Sequence, residues 1–301
     1  KLIDMLTDLN DYSIGIEDVL KEHFDEENIV YWMAFQILMG NVDTQNRNVY
    51  LYSPLNSDIW YFIAWDNDGC LMRPEYELRN FSDQNSWEKG ISNYWGNILF
   101  QRCLKSRSFR EKLNDAILDL REYLNKDMLT SKIESYKNVL KPYLYLMPDA
   151  EYEPLTSEQY DQIAASLPDE IEKNYQLYLE SLETPMPFYI GVPTIDGDKL
   201  KFNWDVSYDL DAEDITYSVE VAGDYLFRDV IYQNTTLTVP EAEMDLPKAG
   251  QYFVRVRATN TSGKTQDAFD YYVTDEGKYY GMRCFYITED STVEEDDYEE
   301  G

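Results

Sequence analysis

The chain has 301 residues, enough for two domains with separate cores. Its hydrophobic content of 44% and its 27 tyrosines exclude a generally disordered chain. A formal net charge of −32 speaks against nucleic acid or an anionic membrane as partner; it suits divalent cations, basic protein substrates, or simple solvation of the surface.

Lys1-Leu2-Ile3 leads straight into an amphipathic helix pattern with no signal peptide. The chain begins without methionine, so any targeting segment is expected upstream. No apolar run approaches the roughly 20 residues needed to span a bilayer, and no membrane insertion is expected. Cys70, Cys103 and Cys284 stand far apart, without zinc spacing or a disulfide framework, and read as free thiols.

Residues 1–183 predict mostly helix. In "FDEENIVYWMAFQILMG", Asp25 is a candidate N-cap, acids fill the first turn, and Gly40 is a stop. After it come Asn41-Val42-Asp43, then Asn48 opening the extended run "VYLY". "SPLNSD" supplies a turn, and "IWYFIAW" returns as a second strand that delivers Asp66, with Asp68 two residues on. If the strands pair, the hairpin folds Asp66 back towards Asp43 and Asn48.

Such a cluster suits phosphoryl transfer, which needs a carboxylate beside the attacking hydroxyl and oxygen ligands that hold magnesium against nucleotide phosphates. Asp43 and Asn48 reproduce the D-x-x-x-x-N spacing of protein-kinase catalytic loops, and Asp66 stands where their second metal-binding aspartate does. Asn41-Val42 replaces His-Arg, and Trp65-Asp66-Asn67-Asp68-Gly69 replaces Asp-Phe-Gly. Taken singly, each of these residues reads as an ordinary turn or cap residue; the joint spacing carries the functional reading. A calcium loop at Asp66-Asn67-Asp68-Gly69 is excluded, because the EF-hand pattern needs an oxygen ligand where Ala64 stands.

The segments "FDEENIVYWMAFQILMGNVDTQNRNVYLY" and "WYFIAWDNDG" resemble the CotH kinase family, the spore-coat protein H-like atypical kinases. More weakly, "LFQRCLKSRSFREKLNDAIL" continues the resemblance. What it implies is transfer of the ATP γ-phosphate to protein Ser or Thr with Mg2+ or Mn2+. By this resemblance Asp43 is the catalytic-loop aspartate, Asn48 a metal ligand, Asp66 the principal metal ligand and Asp68 a helper. It also implies a bacterial protein that is secreted, surface-associated or part of the spore coat. No G-x-G-x-x-G, P-loop or strand-rich segment precedes Asp43. Residues 1–183 are therefore expected to be a kinase-like C-terminal lobe whose N-lobe is absent from this chain, and the fragment is expected to be inactive alone.

Other residues carry less. His23, the single histidine, reads as a surface or packing residue, which leaves no Ser-His-Asp site. Trp32, Trp60 and Trp65 read as core or pocket-wall residues. The basic run Arg102, Lys105, Arg107, Arg110 and Lys112 reads as a solvated helix face.

"TPMPFYIGVP", with Pro185, Pro187 and Pro193, marks the break to a second domain over residues 184–274. "KLKFNWDVSYD", "ITYSVEVAG", "TLTVPE", "QYFVRVRATN" and "FDYYVTD" alternate as short strands of an antiparallel sandwich. Trp204 in "FNWDV", and Leu246, Gly250 and Tyr252 in "LPKAGQYFVRVRATNTSG", resemble the core tryptophan and tyrosine corner of the fibronectin type III family. Residues 275–301 are expected to form a loosely ordered acidic tail. The fold class is thus multidomain, α+β followed by all-β. The rival reading is a catalytically inactive surface or spore-coat assembly protein that uses both domains as interaction modules. A carbohydrate enzyme with two opposed carboxylates about 5 to 10 Å apart ranks below both, because no such pair stands out.

Overall fold

Two units make up the computed structural model, which describes residues 1–44, 48–79, 87–275 and 277–295. The first comprises Lys1–Ser82 and Lys89–Glu180, the second Asp83–Glu88 and Ser181–Gly301.

The first unit is helical. Helices α1 (Leu2–Asn10) and α2 (Ile16–His23) precede α3 (Glu26–Met39). Asp25 caps α3 by accepting the Asn28 N–H at 2.9 Å, and Gly40 ends it in the left-handed region with φ 58°. Apolar residues on every side of α3 are buried, among them Ile29, Val30, Trp32, Met33, Ile37 and Leu38, which makes it the central helix of the unit. The short strands β1 (Tyr50–Tyr52) and β2 (Tyr61–Ile63) pair antiparallel, with Tyr50 opposite Ile63. Asn28 fastens β2 to the start of α3: its Oδ1 accepts the Phe62 N–H at 2.6 Å and its Nδ2 donates to the Phe62 carbonyl at 3.2 Å. The Phe62 ring then meets Trp32 and Phe100 at centroid distances of 4.7 and 5.8 Å.

A single 3-10 turn (Asn67–Gly69) follows, then α4 (Arg73–Arg79), α5 (Ile98–Lys105), α6 (Arg107–Tyr123), α7 (Lys126–Leu144) and α8 (Ser157–Leu182). The basic run is not one solvated face. Arg102 is buried and donates to the carbonyls of Leu9 and Ile14, satisfying backbone acceptors in the α1–α2 connection. Lys112 pairs with Glu26 at 2.6 Å, which ties α6 to α3. His23 lies at the end of α2; it is buried, with Nε2 2.7 Å from Asp8 Oδ2, as a packing residue would be.

The second unit is antiparallel β. Its strands are β3 (Thr194–Asp196), β4 (Lys199–Asn203), β5 (Ile215–Ala222), β6 (Val230–Leu237), β7 (Glu241–Asp245), β8 (Gly250–Asn260), β9 (Thr265–Asp267), β10 (Tyr271–Thr274), β11 (Gly277–Tyr280), β12 (Met282–Ile287) and β13 (Val293–Glu295). One sheet has the order β3-β4-β7; the other runs β13-β12-β8-β5-β6, with β9 also on β8. Alternate residues point inward from both sheets: Leu200 and Phe202, Val219 and Val221, Val254 and Val256, Phe285 and Ile287. Each such buried side chain contributes about 1.5–3 kcal/mol of transfer free energy.

The acidic tail expected over residues 275–301 is replaced, as far as residue 295, by β11, β12 and β13; residues 296–301 lie outside the described residues. Strand β12 pairs with β8 along its whole length, from Met282 opposite Arg255 to Ile287 opposite Gly250. The acids after Ile287 mask a largely apolar run, "MRCFYI", that suits a central strand buried on both faces. "FDYYVTD", read as a sandwich strand, instead supplies β10, which pairs only with β11 among the described residues.

Candidate active site

The site is assembled where α3 ends. Gly40 turns the chain in the left-handed region, and a β-carbon there would stand 2.7 Å from Asn174 Nδ2 of α8, so a side chain is excluded twice over. Asn41 follows and is buried. Its Oδ1 accepts the Asp43 N–H at 3.1 Å, and its Nδ2 donates to Gln36 Oε1 at 3.0 Å and to Asn67 Oδ1 at 3.3 Å. Gln36 Nε2 donates to the same Asn67 Oδ1 at 3.0 Å. Three side-chain amides from α3, the loop after it and the turn after β2 thus close a ring. Thr44 anchors the other end of the loop: its hydroxyl bonds to the Asn41 carbonyl at 3.4 Å and lies 3.3 Å from the Tyr94 hydroxyl.

The turn is brought to the loop by β2. Asp66 adopts φ 48°, a left-handed conformation that Asp tolerates better than most residues, and it reverses the strand into Asn67–Gly69. The Leu71 N–H donates to the Met39 carbonyl at 2.8 Å, pinning the far side of the turn to the end of α3. Asp43 packs over Gly69, close enough that a β-carbon on Gly69 would lie 2.9 Å from Asp43 Oδ2. Asp43, Asp66 and Asp68 are exposed, whereas Gln36 and Asn41 beneath them are buried.

Cys70 lies beside this turn. Burial, assisted by the nearby Asp68 and Asp43 carboxylates, pushes its thiol up to about 12, against the opposing pull of a hydrogen bond with Asn41. The sulfur is therefore a neutral thiol bordered by both carboxylates.

Behind the turn stands a second layer. Arg73 donates to Glu170 Oε2 at 3.1 Å and to Asn174 Oδ1 at 2.7 Å, and Asn174 Nδ2 donates to the Leu38 carbonyl at 2.9 Å. Helix α8 thereby holds both the end of α3 and the segment after the turn.

The structure therefore brings Asp43 together with the turn that carries Asp66 and Asp68. Asn48 is half-buried with φ 55°, two residues before Tyr50, whose ring lies 4.9 Å from that of Trp65. Among the described residues no hydrogen bond joins Asn48 to Asp43, Asp66 or Asp68. No three carboxylates, thiols or imidazoles among the described residues converge closely enough to hold a metal ion by themselves. An ion at this turn would need further oxygen ligands from water or from a phosphate, which is how Mg2+ is ordinarily bound. Sequence reasoning passed over Gln36, Asn67, Arg73, Glu170 and Asn174. Gln36 carried one cue, a polar residue inside the apolar run "YWMAFQILMG".

The family model described as CotH kinase protein matches residues 1–178, more than half of the chain. The chain belongs to the CotH kinase family. The matched span contains the whole amide ring, the Asp43 loop, the Asp66–Gly69 turn and the α8 layer, so this chain is kinase-like in the part where these elements meet. No curated protein matches it. Among solved structures it is similar to surface layer protein SbsC, domains 1-6, at 14% identity and a TM-score of 0.18, which carries no argument. That similarity covers 91% of this CotH-family chain and 38% of the other, so the chain spans well under half the length of that structure. Among the described residues no helix is long and apolar enough to cross a membrane.

Proposed function

We propose that the complete protein is an ATP-dependent protein kinase that phosphorylates Ser or Thr, with its catalytic and metal-binding groups at Asp43, Asn48, Asp66 and Asp68. The observation that carries this reading is the packing of Asp43 over Gly69, in the turn that carries Asp66 and Asp68. One exposed carboxylate stands over a turn that carries two more, on a buried frame, an arrangement suited to a hydroxyl and a metal-bound phosphate meeting in line.

Asp43 accepts the hydrogen bond of the substrate hydroxyl and orients its lone pair towards the γ-phosphorus. As the new oxygen–phosphorus bond forms and the bond to the β–γ bridging oxygen breaks, the hydroxyl proton passes to Asp43 Oδ or on to solvent. Asp66, aided by Asn48 and Asp68, would supply protein oxygen ligands for Mg2+ or Mn2+, with water or phosphate completing the set. The ion, when bound, contributes charge neutralisation between nucleotide phosphates and protein carboxylates. That requirement follows from electrostatics, since the exposed carboxylates of Asp43, Asp66 and Asp68, in a chain of charge −32, would otherwise repel a triphosphate.

The second unit we read as fibronectin type III-like. The sheet orders β3-β4-β7 and β6-β5-β8-β12 support this, as does the Tyr252 hydroxyl, which donates to the Lys248 carbonyl at 2.9 Å as a tyrosine corner would. Such modules space or present other domains, which suits a secreted, cell-surface or spore-coat location.

One observation favours the rival, a non-catalytic assembly protein: no three metal-seeking side chains among the described residues converge. Titration of the complete protein with Mg-ATP by calorimetry separates the two. Saturable binding in the micromolar to low millimolar range supports the kinase, and absence of heat throughout supports the assembly protein.

A further inference from the structure

Asn67 Oδ1 receives two N–H groups, from Gln36 at 3.0 Å and from Asn41 at 3.3 Å, and Asn41 Nδ2 also donates to Gln36 Oε1 at 3.0 Å. Each of the three amides belongs to a different element: the α3 interior, the loop carrying Asp43, and the turn between Asp66 and Asp68. Gln36 and Asn41 are 1% and 2% exposed, too deep for water to replace these partners. Asn41 also uses its remaining acceptor on the Asp43 N–H at 3.1 Å.

Stability alone does not call for this arrangement. Three apolar side chains of similar volume would hold the same elements together about as well, because an internal hydrogen bond replaces one to water and adds little net stability. What apolar packing lacks is direction. A closed amide ring fixes both the separation of the loop and the turn and their relative rotation. We infer that Gln36, Asn41 and Asn67 are positioning residues that set the spacing between Asp43 and the Asp66–Asp68 turn. The inference rests on the phosphoryl-transfer reading of those aspartates and adds the frame that aligns them.

The chemistry of the ring supplies a discriminating substitution. Asn67 enters it only as an acceptor, so Asn67→Asp keeps the acceptor oxygen, while Asn67→Ala removes it. In the complete protein, Asn67→Ala is expected to lower kcat by about 10–100-fold, the range seen when the groups that orient catalytic ligands are lost, with KM for peptide unchanged. Asn67→Asp is expected to restore most of kcat. Gln36→Met, which removes both polar ends of the central amide, should behave like Asn67→Ala. Because Asn67 lies on a half-buried turn, its variants keep the comparison intact even if Gln36→Met fails to fold.

A second readout needs neither metal nor nucleotide. Hydrogen exchange at the Asp43 amide should accelerate in Asn67→Ala and remain slow in Asn67→Asp. Wild-type kcat in Asn67→Ala, or an equal loss in Asn67→Asp, overturns the inference. Asp43→Asn and Asp66→Asn separate it from the reading beneath. If these abolish transfer while Asn67→Ala does not lower it, only the positioning role is wrong. If the complete protein transfers no phosphate, both fall.

Discussion

Asp43 lies over Gly69 so closely that a β-carbon on the glycine would stand 2.9 Å from Asp43 Oδ2 and 2.8 Å from Asn41 Oδ1. Both neighbours are side-chain oxygens, but Asn41 is buried and held at both ends of its amide, so it has little room to give. Gly69→Ala is therefore expected to push Asp43 away from the turn. It should cost about 1–3 kcal/mol in urea denaturation, the usual range for overpacking, and reduce phosphate transfer in the same protein. Unchanged stability and unchanged activity would mean that the loop and the turn are not in contact.

Arg73 makes a different kind of link. Its guanidinium reaches Glu170, whose side chain is 1% exposed, and Asn174, which in turn holds the Leu38 carbonyl. Arg73→Met leaves Glu170 with Lys173 alone, at 2.6 Å. Because Lys173 still compensates the Glu170 charge, the loss should stay below the roughly 3 kcal/mol of a buried charge left unpaired, and should appear as a lower urea midpoint. Asn174→Ala frees one buried carbonyl and should cost about 1 kcal/mol. Equal, negligible effects in both variants would remove α8 from the account of the site.

The Cys70 thiol gives a pH-dependent signature. Its pKa rises from an ordinary 9.0 to about 12, with burial the main cause and the Asp68 and Asp43 carboxylates assisting. A raised pKa means the proton is held more tightly in the folded chain than in the unfolded one. The stabilisation is complete below the unfolded value near 9 and is lost as the pH climbs towards about 12. Accordingly, iodoacetamide at pH 8 should leave the Cys70 peptide unmodified in the native protein and label it in urea. Cys70→Ser should flatten the alkaline loss of stability. Rapid native labelling at pH 8 would place Cys70 in a different environment.

The elements with local signals were legible in the sequence. Asp25 and Gly40 delimit α3 as a cap and a stop would, and the two apolar runs around "SPLNSD" pair as β1 and β2. The approach of Asp43 to the turn after β2 followed from that hairpin. The frame beneath was not legible, because a buried amide ring leaves no periodic trace, and Gln36 looked like one polar interruption in an apolar helix. Arg73 and Glu170 are 97 positions apart, and nothing in their own neighbourhoods announces the pair. Arg102 looked like part of a charged face because spacing cannot reveal that the α1–α2 connection turns its carbonyls inward. Strand β12 was hidden by composition, since counting acids near the C-terminus obscures the largely apolar run "MRCFYI", which is buried on both faces at Met282, Cys284, Phe285 and Ile287.

A kinase at this site requires Asp43 and Asp66 to carry phosphoryl transfer. The most direct measurement is transfer of labelled γ-phosphate from ATP to a Ser/Thr-containing protein substrate by the complete protein, with Mg2+ or Mn2+ present. Wild type is compared with Asp43→Asn and Asp66→Asn, both at exposed positions where the fold should survive. The expected result is incorporation into Ser or Thr by wild type, and a loss of about 10³-fold or more in each variant with the melting temperature preserved. Transfer by either variant at the wild-type rate would contradict the assignment.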